Sequence, residues 1–127
     1  MASYSDADCK DTDLKCAPYK KMDSAERQLA ALNRKLLTSA LRGYATYNED
    51  DPGYLDDLKK FFADADRTWR GYRDAQCEME FFIQGMSRHG NEGLVETCRL
   101  GKTRERIREL NSFMPLFKDK KEHQHAK

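Results

Sequence analysis

Four cysteines, at positions 9, 16, 77 and 98, and three histidines, at 89, 123 and 125, are the residues with the most chemistry open to them. An even cysteine count in a small chain fits two disulfides. Structural zinc sites bring their ligands in close C-x2–4-C pairs. Here the pairs are C-x6-C and C-x20-C. Disulfides are favoured on that ground, with buried free thiols and a metal site as the other readings. Of three connectivities, Cys9–Cys16 with Cys77–Cys98 is preferred. A bridge closing the second loop would contribute about 3 kcal/mol, mainly by restricting the unfolded chain. Two disulfides place the protein in the periplasm or outside the cell.

The remaining polar residues do not assemble into a catalytic pattern. Asp64 and Asp66 are two apart and face different sides of a helix, unlike the carboxylate pair of a glycosidase. Ser87 and His89 share a glycine-bearing loop with no residue to orient a base. His123-x-His125 lies in a charged tail and is read as solvated. The expectation is a protein that is not an enzyme and carries no cofactor and no metal. Lys and Arg number 23 against 22 Asp and Glu, a formal +1. Near-neutral charge without a basic stripe argues against nucleic acid. No run of 18 apolar residues is present, so no membrane span is expected. Met1-Ala-Ser-Tyr-Ser-Asp has no apolar signal-peptide core, so an exported form is expected to have lost a leader, and the alternative is a reduced cytosolic protein.

At 127 residues the chain suits one domain. Charged residues reach 35%, and the mean hydropathy is -0.94. Leu, Phe, Tyr and Met nonetheless recur at helical spacing, which argues against disorder. Around Leu55–Ile83, apolar or near-apolar residues fall at 55, 58, 62, 65, 69, 72, 79 and 83, the seam of an amphipathic helix. Every other segment is expected to pack on it, with Trp69 and Tyr72 in the core. Gly71 is expected to admit a neighbouring backbone beside Trp69.

A first helix is expected over 23–46, capped by Asp23 or Ser24 and buried along Leu29, Leu32, Leu36 and Ala40. Asp51 then caps the central helix, 52–84, with Pro52 at its first position. Three glycines between Gln84 and Gly93 mark a loop. A third helix covers 94–114, burying Val95, Cys98, Ile107, Leu110 and Met114. Gly101-Lys102 is expected to kink it. The result is an all-α bundle of three main helices with a disulfide-stapled N-terminal segment. Residues 1–8 are expected to be disordered, 9–117 to form the single domain, and 118–127 to be a mobile charged tail.

Trp69-x-x-Tyr72-Arg73-Asp74-x-x-Cys77, followed by a glycine-bearing loop and Cys98-x4-Thr103-x-x-Arg106-x3-Leu110, resembles the LprI-type lysozyme-inhibitor-like family. Upstream, Asp23-x5-Leu29-x-x-Leu32-Asn33-x-x-Leu36-Leu37 is similar to the family's first segment, and the cysteine pair Cys9 and Cys16 matches in kind. The sequence departs from the family pattern at Asp66, Met86 and Lys102. The resemblance implies an all-α, disulfide-bearing bacterial protein, secreted, periplasmic or lipid-anchored, whose named activity is inhibition of lysozyme. No lipobox cysteine stands at the start, so no lipid anchor is expected.

From the residues themselves, Trp69, Tyr72, Arg73, Asp74, Thr103 and Arg106 read as structural. Arg73 is expected to bond a carboxylate or carbonyl on a neighbouring helix. Thr103 and Arg106 are expected to restart the helix after Gly101 and to pair with a carboxylate on the central helix. Two segments remain for a partner. Ser87, Arg88 and His89 offer donors in an exposed loop, and Glu49, Asp50 and Asp51 offer an acidic patch. The expected function is protein binding, most concretely inhibition of a lysozyme or another peptidoglycan hydrolase. The alternatives are a structural or stress-related envelope protein and an immunity protein against a cell-wall-degrading toxin.

Overall fold

The computed structural model describes residues 17–85 and 93–117. Cys9, Cys16, Ser87, Arg88, His89, the stretch read above as the N-terminal staple, residues 86–92 of the glycine-bearing loop and the charged tail lie outside the described residues. The described residues form four helices and no strand: α1 (Ala17–Gly43), α2 (Tyr47–Asp50), α3 (Tyr54–Ile83) and α4 (Leu94–Asn111). The expected all-α bundle of three main helices is what they build.

Helix α1 begins at least six residues before the expected cap, so Asp23 and Ser24 lie inside it. The reason is visible in its buried stripe. Met22 and Ala25 extend Leu29, Leu36 and Ala40 back by two turns, and Pro18 is tolerated in a first helical turn. Its ring meets Gly93, where φ is +93° and an added Cβ would stand 3.0 Å from Pro18 Cγ. Only glycine suits that junction. At the other end α1 stops at Gly43. The start of α3 also differs from expectation. The Asp51 carboxylate accepts the Gly53 N–H at 3.3 Å and the Asp51 carbonyl accepts the Tyr54 N–H at 2.9 Å. Asp51-Pro52-Gly53 is therefore a turn, and the helix opens at Tyr54, with Asp56 and Asp57 in its first turn facing the positive end of the dipole.

Partners along the helices give their directions. Met22 clusters with Leu100, and Leu36 with Leu110, so α1 and α4 run parallel. Asn33 meets Asp66 and Glu26 meets Arg73, so α3 runs antiparallel to α1. Cys77 and Cys98 are joined by a disulfide with Cα atoms 5.7 Å apart, as expected for antiparallel neighbours flanking one loop. The most extensive packing is between α1 and α4, with α3 laid across the pair. The central helix is thus not the element on which all others pack.

The seam expected on α3 is only half right. Leu55, Leu58, Phe62 and Trp69 face inward, whereas Tyr72 is 57% exposed, Met79 47% and Ile83 73%. The residues buried in that half are Arg73 and Cys77. A 3.5-residue repeat drifts about 20° per heptad on a 3.6-residue helix. Over four heptads the expected stripe rotates out of the interface. On α4 the buried face is Glu96, Leu100, Thr103 and Leu110, and the helix runs unbroken through Gly101. The kink, and with it a restart at Thr103, does not occur.

Gly71 is exposed, and a Cβ there would meet nothing within 4 Å, so it does not admit a neighbouring backbone. Gly71→Ala is expected to raise the unfolding free energy by about 1 kcal/mol. Urea titration of the oxidised protein measures this, and a loss of stability would show that the position is in contact.

Candidate functional site

Four residues of the Trp-Tyr-Arg-Asp-Cys motif point into the interface between helices. Arg73, 2% exposed, is its centre. Its Nη1 pairs with Glu26 Oε1 on α1 and donates to Thr103 Oγ1 on α4 at 3.2 Å, and its Nε donates to Asp74 Oδ1 at 2.8 Å. Arg70 shares Glu26 through the other carboxylate oxygen and also holds Asp66 at 3.0 Å, whose second partner is Asn33 at 3.1 Å. Beyond Asp74 the chain continues to Arg99 at 2.8 Å and to the buried Glu96 at 2.7 Å. Arginine suits this role because its planar fork serves several acceptors at once.

Trp69 lies between two cations, with Arg73 Cζ 5.2 Å and Arg106 Cζ 5.7 Å from its ring. These are cation–π distances. Arg106 pairs with Glu109 on its own helix, not with a carboxylate of α3 as expected. The ion pairs from α4 to α3 come instead from Arg99 and from Lys102, which reaches Glu80 at 3.1 Å. Tyr72 alone of the motif stands on the surface, so its expected core role is corrected.

This network is a structural joint. Its acids and bases are committed to one another, leaving no free nucleophile or base. Asp64 pairs with Arg67 on the surface while Asp66 turns toward α1, so these two carboxylates do face different sides. Among the described residues no group of three His, Cys, Asp or Glu side chains is placed to hold a metal. No described helix is long and apolar enough to cross a membrane. An open apolar groove of about 260 Å³ lies where α3 diverges from α1 and α4, lined by Leu36, Leu58, Phe61, Phe62, Leu110 and Phe113 among others. Its size falls just below the ~300–1,000 Å³ of ordinary small-molecule sites.

The remaining candidate is the corner between α1 and α3. Glu49, Asp50 and Asp51 are all exposed there. Sequence reasoning missed what holds them. Tyr44 and Tyr47 meet at a tilt with ring centroids 5.0 Å apart, Tyr47 and Tyr54 edge to face at 5.2 Å, and Tyr44 and Phe117 edge to face at 5.9 Å. The short α2 and this aromatic cluster brace the acidic turn. The Asn48 side chain adds a bond from the Leu55 N–H at 3.4 Å. Three of the six tyrosines falling within eleven residues of an acidic run was the available signal.

Two consequences of the joint are measurable. Arg73→Met leaves Glu26 with Arg70 and Asp74 with Arg99, so the loss falls below the full ~3–5 kcal/mol of a broken buried pair. About 2–3 kcal/mol is expected by denaturant unfolding, and a neutral result would show that the arginine is dispensable. Asp74 is the pH-sensitive member. Burial opposes its ionisation, but the hydrogen bonds and charges of Arg73 and Arg99 outweigh that and hold its carboxyl below the ordinary 3.8. A depressed folded-state value gives stability that is fully present above the unfolded value and is lost as pH falls through the folded one. Stability should therefore decline as pH drops below about 4, and Asp74→Asn should flatten that decline in unfolding curves measured against pH.

Comparison with curated proteins gives no match, and comparison with solved structures gives none. A family model does match: Lysozyme inhibitor LprI, over residues 3–110. That span takes in the Arg73 joint, the Cys77–Cys98 bridge and the braced acidic corner, and by this match over most of its length the chain belongs to the Lysozyme inhibitor LprI family.

Proposed function

We propose that this chain is a non-enzymatic, periplasmic or secreted protein-binding domain that inhibits a peptidoglycan hydrolase of lysozyme type. The family match carries the reading, since the family is named for an inhibitor and not for a reaction. The fold supports it, because a helical frame presents the acidic turn at Glu49–Asp51 and commits its buried charges to itself.

Two surfaces are assigned to the partner. A lysozyme cleft holds two catalytic carboxyl groups, and the donors of Ser87, Arg88 and His89 complement them. Glu49, Asp50 and Asp51 complement basic surface around such a cleft. With a net charge of +1 the whole chain gives no long-range steering toward a basic enzyme, so attraction must come from this local acidic corner. Tyr44, Tyr47 and Tyr54 add side chains of a type enriched at binding hot spots.

The test is lysis of peptidoglycan by a panel of animal and phage-type lysozymes, with the oxidised protein titrated in. Stoichiometric inhibition is expected. Reversing Glu49, Asp50 and Asp51 to Lys should slow association at least tenfold at low salt, as loss of a steering patch does. Replacing Ser87-Arg88-His89 by Gly-Ala-Gly should abolish inhibition without changing helicity. A folded, oxidised sample that inhibits none of the panel would overturn the reading.

A further inference from the structure

Helix α3 has a second ordered face beside the one it turns to α1 and α4, and at its N-terminal end Phe61 and Ala65 also border the groove described above. Phe61, Ala65, Thr68, Tyr72, Ala75, Met79 and Phe82 follow one another by alternating steps of four and three, and every one is exposed. Phe61 is 63% exposed, Tyr72 57%, Met79 47% and Phe82 50%. Steps of four and three over three heptads are the signature of a coiled-coil seam. At 1.5 Å per residue the stripe is about 32 Å long.

We propose that this face pairs with the same face of a second copy, antiparallel, across a two-fold axis between Tyr72 and Ala75. Set with Tyr72 opposite the partner's Ala75, the next layers put Thr68 against the partner's Met79 and Ala65 against the partner's Phe82. Each of these layers joins one large and one small side chain, which is how facing positions interdigitate, and Phe61 lies beyond them. The two-fold repeats the same layers, as an isologous interface requires. A parallel pairing lacks this property. It sets Tyr72 on Tyr72 and Ala65 on Ala65, alternating crowded and empty layers.

The charges on the flank agree with the same register. Asp64 falls opposite the partner's Gly85 and Glu78 opposite the partner's Gly71, so no two acids meet. Arg67, 75% exposed, lies about one turn from the partner's Glu78. Glu78 Oε1 is a buried side-chain oxygen without a hydrogen-bond partner among the described residues.

Residues 1–16 carry only Met1, Tyr4 and Leu14 as large apolar side chains and none of the seam's alternating pattern, whereas a second copy brings a matching seam. The area suits a modest dimer. About half of each large side chain in these layers is free, and at ~150–250 Å² per aromatic side chain Tyr72, Met79 and Phe82 expose roughly 300 Å² per protomer. With the small residues and flanks between them the patch approaches the ~600 Å² per partner of a small specific interface.

Sedimentation equilibrium of the oxidised full chain, from micromolar to near-millimolar concentration, tests the proposal. The expected result is reversible association to twice 14.8 kDa. Ala75→Glu, on the exposed face, should keep helicity and thermal stability but weaken association about a hundredfold, since it sets a desolvated charge against the partner's Tyr72. Ala65→Glu should do the same, and adding Phe82→Lys should restore the dimer, because the register makes these two positions opposite. Wild-type protein that stays monomeric throughout, or a dimer that survives Ala75→Glu, would overturn the proposal. Neither result touches the lysis assay, so this inference and the inhibitor reading fail separately.

Discussion

The guanidinium of Arg73 is the interaction on which the rest depends. It sits between two apolar clusters, one of Met22, Ala25 and Leu100, the other built on Leu29, Leu36 and Leu110. Glu26 and Thr103 fall between those clusters on their own helices, so the polar layer crosses the core. Apolar contacts alone would allow α3 to slide or rotate over α1 and α4, since hydrophobic burial is non-directional. A buried charge with one carboxylate on α1, one hydroxyl on α4 and one carboxylate on its own helix has a single satisfactory position. The layer therefore fixes register, and the disulfide from Cys77 to Cys98, one turn further along α3, holds the same register covalently.

This division explains what could be read from the sequence. The helices, their number and the Cys77–Cys98 bridge were legible because apolar spacing, glycine-rich breaks and cysteine placement are local signals. The stripe of α1 was legible for the same reason, and the early start was missed because Pro18 and Lys20-Lys21 hide the continuation through Met22. On α4 the buried face runs through Glu96 and Thr103, residue types that no apolar pattern can flag. Thr103 is buried against Arg73 of α3, a tertiary contact, and Glu96 is held by Arg99 one turn along, which itself reaches Asp74 of α3. The aromatic brace around Asn48 was likewise invisible, because Tyr44, Tyr47, Tyr54 and Phe117 meet only after the chain has turned.

The mistake on α3 is the more instructive one. A helix with one apolar face yields an unambiguous seam. Here two faces are apolar, and the sequence pattern runs from one to the other. Leu55, Leu58, Phe62 and Trp69 belong to the inner face, while Tyr72, Met79 and Ile83 lie on the outer side. The inner face continues through Arg73 and Cys77, whose side chains do not register as hydrophobic periodicity. A 3.5-residue repeat was thus assembled from two surfaces, and the residues left over on the outside form a regular stripe of their own. Such a stripe has no use in a monomer, where each exposed aromatic ring costs solubility, and it gains a reason if it meets its own copy.

The same division bears on function. Trp69, Arg73, Asp74, Cys77, Thr103 and Arg106, on α3 and α4, are occupied within the joint that Glu26 extends to α1, and they are the residues that mark the family in this sequence. A motif consumed by the scaffold is a statement about fold. It says nothing of a partner, because its charged groups are engaged with one another. Among the described residues, what remains outward for a partner is the braced acidic turn at Glu49–Asp51. Two chains with the same joint and different outward residues would share the fold and differ in partner. The inhibitor reading therefore stands or falls on residues outside the joint, whatever the strength of the motif.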